Sequence, residues 1–191
     1  MIPIQTDSKT REGYVQNIIA VFESATLDQE TQGRWWYQSA HDLASMMADG
    51  DIRTGAGLLA ALSPQTSWEY NVELACDAYD TGRPTRHVGD ALSKATRILA
   101  GIPPEDVLPM SRKTGHFFRC IVDPADADAV CVDRHAHDIA VDSRYGSQNR
   151  GLGAVGRYNL IADCYREAAR RLGELPQVVQ AVTWVVWRNG S

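Results

Sequence analysis

At 191 residues and 44% hydrophobic composition, the chain can bury a substantial core and is not compositionally disordered. No apolar run approaches the length of a bilayer span and the polar start carries no signal-peptide pattern, so a soluble, cytoplasmic protein without a membrane partner is expected. A formal charge of −5 argues against a broad nucleic-acid-binding face, because phosphate binding is driven by cations, but it leaves room for a local patch.

Hydrophobic periodicity is helical nearly throughout. Tyr14, Val15, Ile18, Ile19 and Phe22 make one apolar stripe; Trp36, Ala40, Leu43 and Met47 make a second, closed by Asp49-Gly50. A short helix over Gly55–Leu62 is broken by Ser63-Pro64-Gln65, and Thr66-x-x-Glu69 has the spacing of a capping box that starts the next helix, to about Tyr79. Ala91–Ala100 is helical and stops at Gly101 and Pro103-Pro104.

Ser111 is the expected N-cap of a helix carrying Lys113 and Phe117, ended by Asp123-Pro124. Asp133 is the expected N-cap of Arg134–Val141. Ser143–Gly156 is polar and glycine-rich, hence a loop, and Arg157–Leu172 and Pro176–Trp187 are the last two helices. Val130–Val132 is too short to carry a sheet. The expectation is an all-α fold of about nine helices with short connections.

Several groups carry possible chemistry. Gln65 sits at a loop tip with donor and acceptor capacity, either as a ligand contact or as part of a plain turn. Lys113 falls in the first turn of its helix, where the positive helix end disfavours a cation; that is the direction an amine nucleophile needs at neutral pH, while the bland alternative is a solvated lysine. Asp133 is explained by capping alone, yet capping would also hold the carboxylate in one rotamer, as a preorganised site requires.

The four cysteines, Cys76, Cys120, Cys131 and Cys164, lie far apart without a CxxC pair, which argues against a zinc knuckle or a local iron–sulfur loop. His41-Asp42 and His137-Asp138 invite comparison with metal-dependent phosphohydrolases. However, His135 and His137 lie about 200° apart on a helix and cannot share one ion. Gly151-x-Gly153-x-x-Gly156 matches a dinucleotide fingerprint as a string, but no strand precedes it. Trp35, Trp36, Trp184 and Trp187 fall at helical spacings and read first as core. Neither a metal nor a cofactor is expected.

Taken in order, these pieces resemble one family. GLLAALSPQTSWEYNVELACDAY is similar to the helix–loop–helix that opens one lobe of the endonuclease-III-like, helix-hairpin-helix DNA glycosylases. LPMSRKTGHFFRCI is similar to the end of their hairpin motif, with Lys113 at the position of the lysine nucleophile. VCVDRHAHDIA is similar to their Val-Asp-x-His segment, with Asp133 at the essential aspartate, and Pro176–Arg188 matches their final helix. The resemblance covers roughly residues 53–190 and points to phage and actinobacterial members, some linked to hypermodification of DNA bases. It places the protein in a bacterial or phage-infected cell.

The resemblance implies two helical lobes with a cleft between them, one over about residues 53–130 and the other combining 1–52 with 131–191. It implies DNA as partner, a base flipped from the duplex, Asp133 stabilising charge at C1′ of the deoxyribose, and Lys113 attacking that carbon. Gln65 would fill the gap in the duplex, and Arg112, Arg134, His135, Arg144, Arg150 and Arg157 would contact DNA. Three features depart from the family: Pro109-Met110-Ser111 stands where a Gly-x-Gly binds phosphate, the four-cysteine cluster loop is missing, and the charge is acidic. A base-modifying transferase on the same fold and a non-catalytic DNA- or protein-binding module are the alternatives.

Overall fold

In a computed structural model, which describes residues 1–87 and 89–189, the described residues form ten α-helices and no strand. They are α1 (Ser8–Glu23), α2 (Leu27–Met47), α3 (Ile52–Leu62), α4 (Trp68–Thr81), α5 (Gly89–Leu99), α6 (Pro104–Val107), α7 (Lys113–Val122), α8 (Arg134–Ala140), α9 (Val155–Leu172) and α10 (Pro176–Asn189). The helix not anticipated is α6, a single turn with a proline at its start. No helix is long and apolar enough to cross a membrane among the described residues.

The chain divides into two compact units, Met1–Tyr37 with Ala125–Ser191, and Gln38–Pro124. The division falls within α2, where the sequence reading set it near residue 53. The reason lies in what each half of α2 touches. In its first half Gly33 lies against Val182 of α10, so close that an added Cβ would sit 2.5 Å from the Val182 Cα. Tyr37 donates its hydroxyl to Gln180 at 2.7 Å. In its second half the Ala44 carbonyl lies against Gly55 of α3.

The first unit packs α1, α8, α9 and α10 together. Val15 and Ile18 of α1, Ile139 of α8, Tyr158, Ile161 and Tyr165 of α9 and Val179 of α10 are all essentially inaccessible. Burying each of the aliphatic side chains among them is worth about 1.5–3 kcal/mol. The extended residues before α8 need no strand partner, because the Tyr158 hydroxyl accepts from Val132 N at 3.0 Å and donates to the Val130 carbonyl at 2.7 Å.

The second unit is built around α3, which packs against α4, α5, α6 and α7. Every residue from Gly55 to Leu62 is buried, as an apolar helix enclosed by others requires. Its start is capped by Asp51, whose side chain accepts from Thr54 N.

Two expected caps are displaced by one residue. Helix α4 is capped by Ser67, whose hydroxyl accepts from Tyr70 N at 3.3 Å. Thr66 instead turns its hydroxyl back to the carbonyls of Leu62 and Ser63, closing the end of α3. Helix α7 is preceded by Arg112 in the cap position, not Ser111. There Arg112 N donates to the Pro109 carbonyl at 2.9 Å, so Ser111 is used up in a tight turn.

Candidate functional site

Asp133 is held by three donors within the first unit. It caps α8 in extended backbone conformation, and its Oδ1 accepts from His135 N at 2.9 Å and Ala136 N at 2.8 Å. Its Oδ2 accepts from the Trp184 indole Nε1–H at 3.2 Å. An ionised carboxylate offers roughly four lone-pair sites, so one on Oδ2 remains for a ligand. The cap was anticipated; the indole partner was not.

Trp184 is itself braced. The Trp36 ring meets it edge-on with centroids 6.3 Å apart, and the His135 ring does the same at 6.3 Å. The Arg188 guanidinium lies over its face, 4.6 Å from the centroid. His135 accepts at Nε2 from Arg134 Nε at 3.2 Å, which leaves the Nδ1 proton as the donor of the neutral ring. Burial pushes the His135 pKa below its ordinary value, with Arg134 and Arg188 adding in the same direction against Asp133. The result is a half-buried carboxylate bonded to an indole whose ring is packed between Trp36, His135 and the Arg188 guanidinium.

Behind this cluster, α8 carries a second one. Asp138 is 3% exposed and accepts four bonds: His137 Nδ1 at 3.0 Å and Arg150 Nε at 2.9 Å on Oδ1, Tyr145 N at 3.1 Å and Arg150 Nη2 at 2.6 Å on Oδ2. Burial raises the Asp138 pKa, but the bonds from Arg150, His137 and Tyr145 outweigh it, and the carboxyl stays below its ordinary range. His137 is fully buried, its ring 4.8 Å from that of Tyr145, and burial lowers its pKa. Arg150 also donates to the carbonyls of Gly146 and Gln148. Asp138 is thus the post to which the loop between α8 and α9 is tied.

Other arginines of the first unit sort by what they touch. Arg157 donates to the carbonyls of Ile2 and Gly151, fastening the N-terminal segment. Arg144 stacks on Trp187 at 4.4 Å and donates to its carbonyl. Arg166, Arg170 and Arg171 are in ion pairs with Asp128, Asp163, Glu167 and Glu12. The Gly151–Gly156 string makes room for the N-terminal segment: an added Cβ on Gly156 would meet Ile4, and Gly151 adopts a φ of +69°.

In the second unit, Lys113 is the first residue of α7 and half-buried. The turn before it lies against Gly115, where an added Cβ would come 2.3 Å from the Met110 Cα. The absence of a side chain at Gly115 is what lets this turn approach α7 so closely. Gln65 is exposed at the tip of the α3–α4 loop with a left-handed φ of +63°, a conformation that costs a non-glycine residue about 1–2 kcal/mol. His41 is not near a metal-ligating set; its Nδ1 bonds the Ile121 carbonyl at 2.9 Å. Among the described residues, no three His, Cys, Asp or Glu side chains converge as a metal site.

Sequence reasoning missed Trp184, Arg188 and Asp138. The first two share one face of α10 at a spacing of four, which marks a helical face but says nothing of Asp133. Asp138 is recognisable in sequence only as part of a His-Asp pair, a pattern that points to metals, not to a loop tie. No curated protein and no solved structure matches the chain. A family model does match it over residues 1–191, and the chain belongs to that family, DUF7178, a family of unknown function.

Proposed function

We propose that the protein acts on a nucleotide of DNA at the glycosidic carbon, with Asp133 as the charge-stabilising group and Lys113 as the nucleophile. The observation that carries this reading is the Asp133 carboxylate, oriented by two backbone amides and an indole before any ligand arrives. Fixed charge placed where positive charge develops is worth several kcal/mol of barrier, because no reorganisation is needed during the reaction. A nucleotide would enter flipped from the duplex, at an unstacking cost of a few kcal/mol.

In this reaction the Lys113 amine attacks C1′ and the bond from C1′ to the base nitrogen breaks. The base leaves with the bonding electrons and takes up a proton, and the amine gives up one. Opening of the sugar ring then converts the adduct to a Schiff base. Asp133 stabilises the positive charge on the sugar while the old bond is long and the new one is not yet formed.

The test is single-turnover base release from duplexes bearing a panel of damaged and modified bases, compared between wild type and Asp133→Asn. Release by the wild type and a drop of about a hundredfold or more in the variant supports the reading. Equal rates in both overturn it.

A second reading, a non-catalytic binding module, is favoured by one observation. Arg150 and Arg157, two of the arginines anticipated to contact DNA, are engaged by internal acceptors, and Arg166, Arg170 and Arg171 stand in ion pairs, which lowers the cationic surface left for DNA. Fluorescence anisotropy at two salt concentrations separates the readings. Weak binding that falls steeply with salt fits a DNA-acting protein, and no binding at low salt to duplex, mismatched or single-stranded DNA fits a protein partner.

A further inference from the structure

We propose that Trp184 is a positioning residue for Asp133, its indole N–H fixing the plane of the carboxylate through Oδ2. The inference rests on the reading of Asp133 as the charged group of the reaction and adds a residue to it.

The two amide bonds to Asp133 both fall on Oδ1. They hold one oxygen and leave rotation about the terminal torsion, which for an aspartate is broad and weakly restrained. The third bond, from Trp184 Nε1 to Oδ2, removes that freedom. An indole N–H can only donate, so the pairing suits an ionised acceptor, and a bond to a charged acceptor is stronger than one between neutral groups.

The donor is in turn held. Trp36 and His135 meet the indole edge-on, and Arg188 covers its face. These contacts involve the ring and not the N–H. They would persist if the ring were kept and the N–H removed, which is what separates positioning from packing. Trp184→Phe makes that change approximately. Asp133→Asn probes the other side: if the amide oxygen keeps the two backbone bonds, its NH2 group faces the indole N–H, donor against donor.

Two measurements decide the matter. First, the indole resonance of Trp184, assigned through its side-chain couplings, is followed in wild type and in Asp133→Asn. An upfield shift in the variant is expected as the charged acceptor is lost; an unmoved resonance shows that no such bond exists and overturns the inference whatever the activity. Second, base release is measured in Trp184→Phe at saturating and limiting substrate. The expected result is a fall of about ten- to a hundredfold in the maximal rate with little change in the half-saturating concentration, since the carboxylate, not the substrate contact, is displaced. Wild-type turnover in Trp184→Phe alongside an inactive Asp133→Asn overturns the inference and leaves the proposed reaction standing. Wild-type turnover in Asp133→Asn removes both.

Discussion

Removing the Asp138 carboxylate should weaken the first unit more than any surface charge change. Its side chain is 4% exposed and that of Arg150 11%, so the pair lies largely out of water. Breaking a buried pair from one side costs about 3–5 kcal/mol, because the remaining charge is left without compensation. Asp138→Ala also strands the Tyr145 amide and one His137 nitrogen, while Arg150 keeps its two carbonyl acceptors, Gly146 and Gln148. The expected loss is therefore about 3–4 kcal/mol, a large share of the 5–15 kcal/mol typical of a domain. Asp138→Asn should cost less, about 2–3 kcal/mol: the amide oxygen can still serve Tyr145 N and Arg150 Nη2, and a change of tautomer lets His137 accept from the new NH2. Urea denaturation of both variants near neutral pH measures the difference, and limited proteolysis should show faster cleavage between residues 141 and 154 in Asp138→Ala. A loss below about 1 kcal/mol in Asp138→Ala would show that the cluster does not hold the loop and would refute the reasoning.

Three further outcomes follow from the same geometry. Stability should be level only between about pH 7 and 8 and decline from pH 6.5 downward, because His137 and His135 have folded values below the ordinary 6.5 and the unfolded chain takes up protons first; a second decline below pH 3.8 follows as the Asp138 carboxyl is protonated, and burial of Cys164 and Tyr165, which raises both groups, adds a decline on the alkaline side, so denaturant midpoints that stay constant from pH 7 to 5 would contradict this. Asp133→Asn should destabilise by about 1–2 kcal/mol in wild type but by less in a Trp184→Phe background, where the opposed donor is gone; strictly additive losses in a double-mutant cycle would count against the indole bond. Gly55→Ala should destabilise strongly, by about 2–4 kcal/mol, because its Cβ would stand 2.1 Å from the Ala44 carbonyl oxygen, and a thermal midpoint equal to wild type would rule out that close approach.

The helices were legible because their apolar spacing is regular and because α3, buried on every side, reads as an unbroken apolar run. Asp133 was legible as a cap because capping depends on a residue and the two or three that follow it. Ser111 and Thr66 were misplaced for the same local reason. Each is a good capping residue, and its competing use is decided by a turn: the Pro109–Arg112 bond in one case, the carbonyls ending α3 in the other. The partners of the site were not legible. Trp184 lies 51 positions from Asp133, and no period in the sequence links them. Arg150 and Arg157 read as surface cations because their acceptors, a carboxylate 12 positions back and a main-chain carbonyl 155 positions back, are tertiary facts. An arginine's sequence neighbours do not reveal whether its charge is already spent.

The central claim, that this fold breaks a glycosidic bond through a lysine and a fixed carboxylate, is tested most directly by borohydride trapping. Only a Schiff base between protein and sugar is reduced to a stable amine, and the chain has just three lysines, Lys9, Lys94 and Lys113, so each can be replaced in turn. The account predicts a covalent protein–DNA product in wild type that disappears in Lys113→Ala, persists in Lys9→Ala and Lys94→Ala, and is strongly reduced in Asp133→Asn. A product that survives Lys113→Ala, or an undiminished yield in Asp133→Asn, would contradict it.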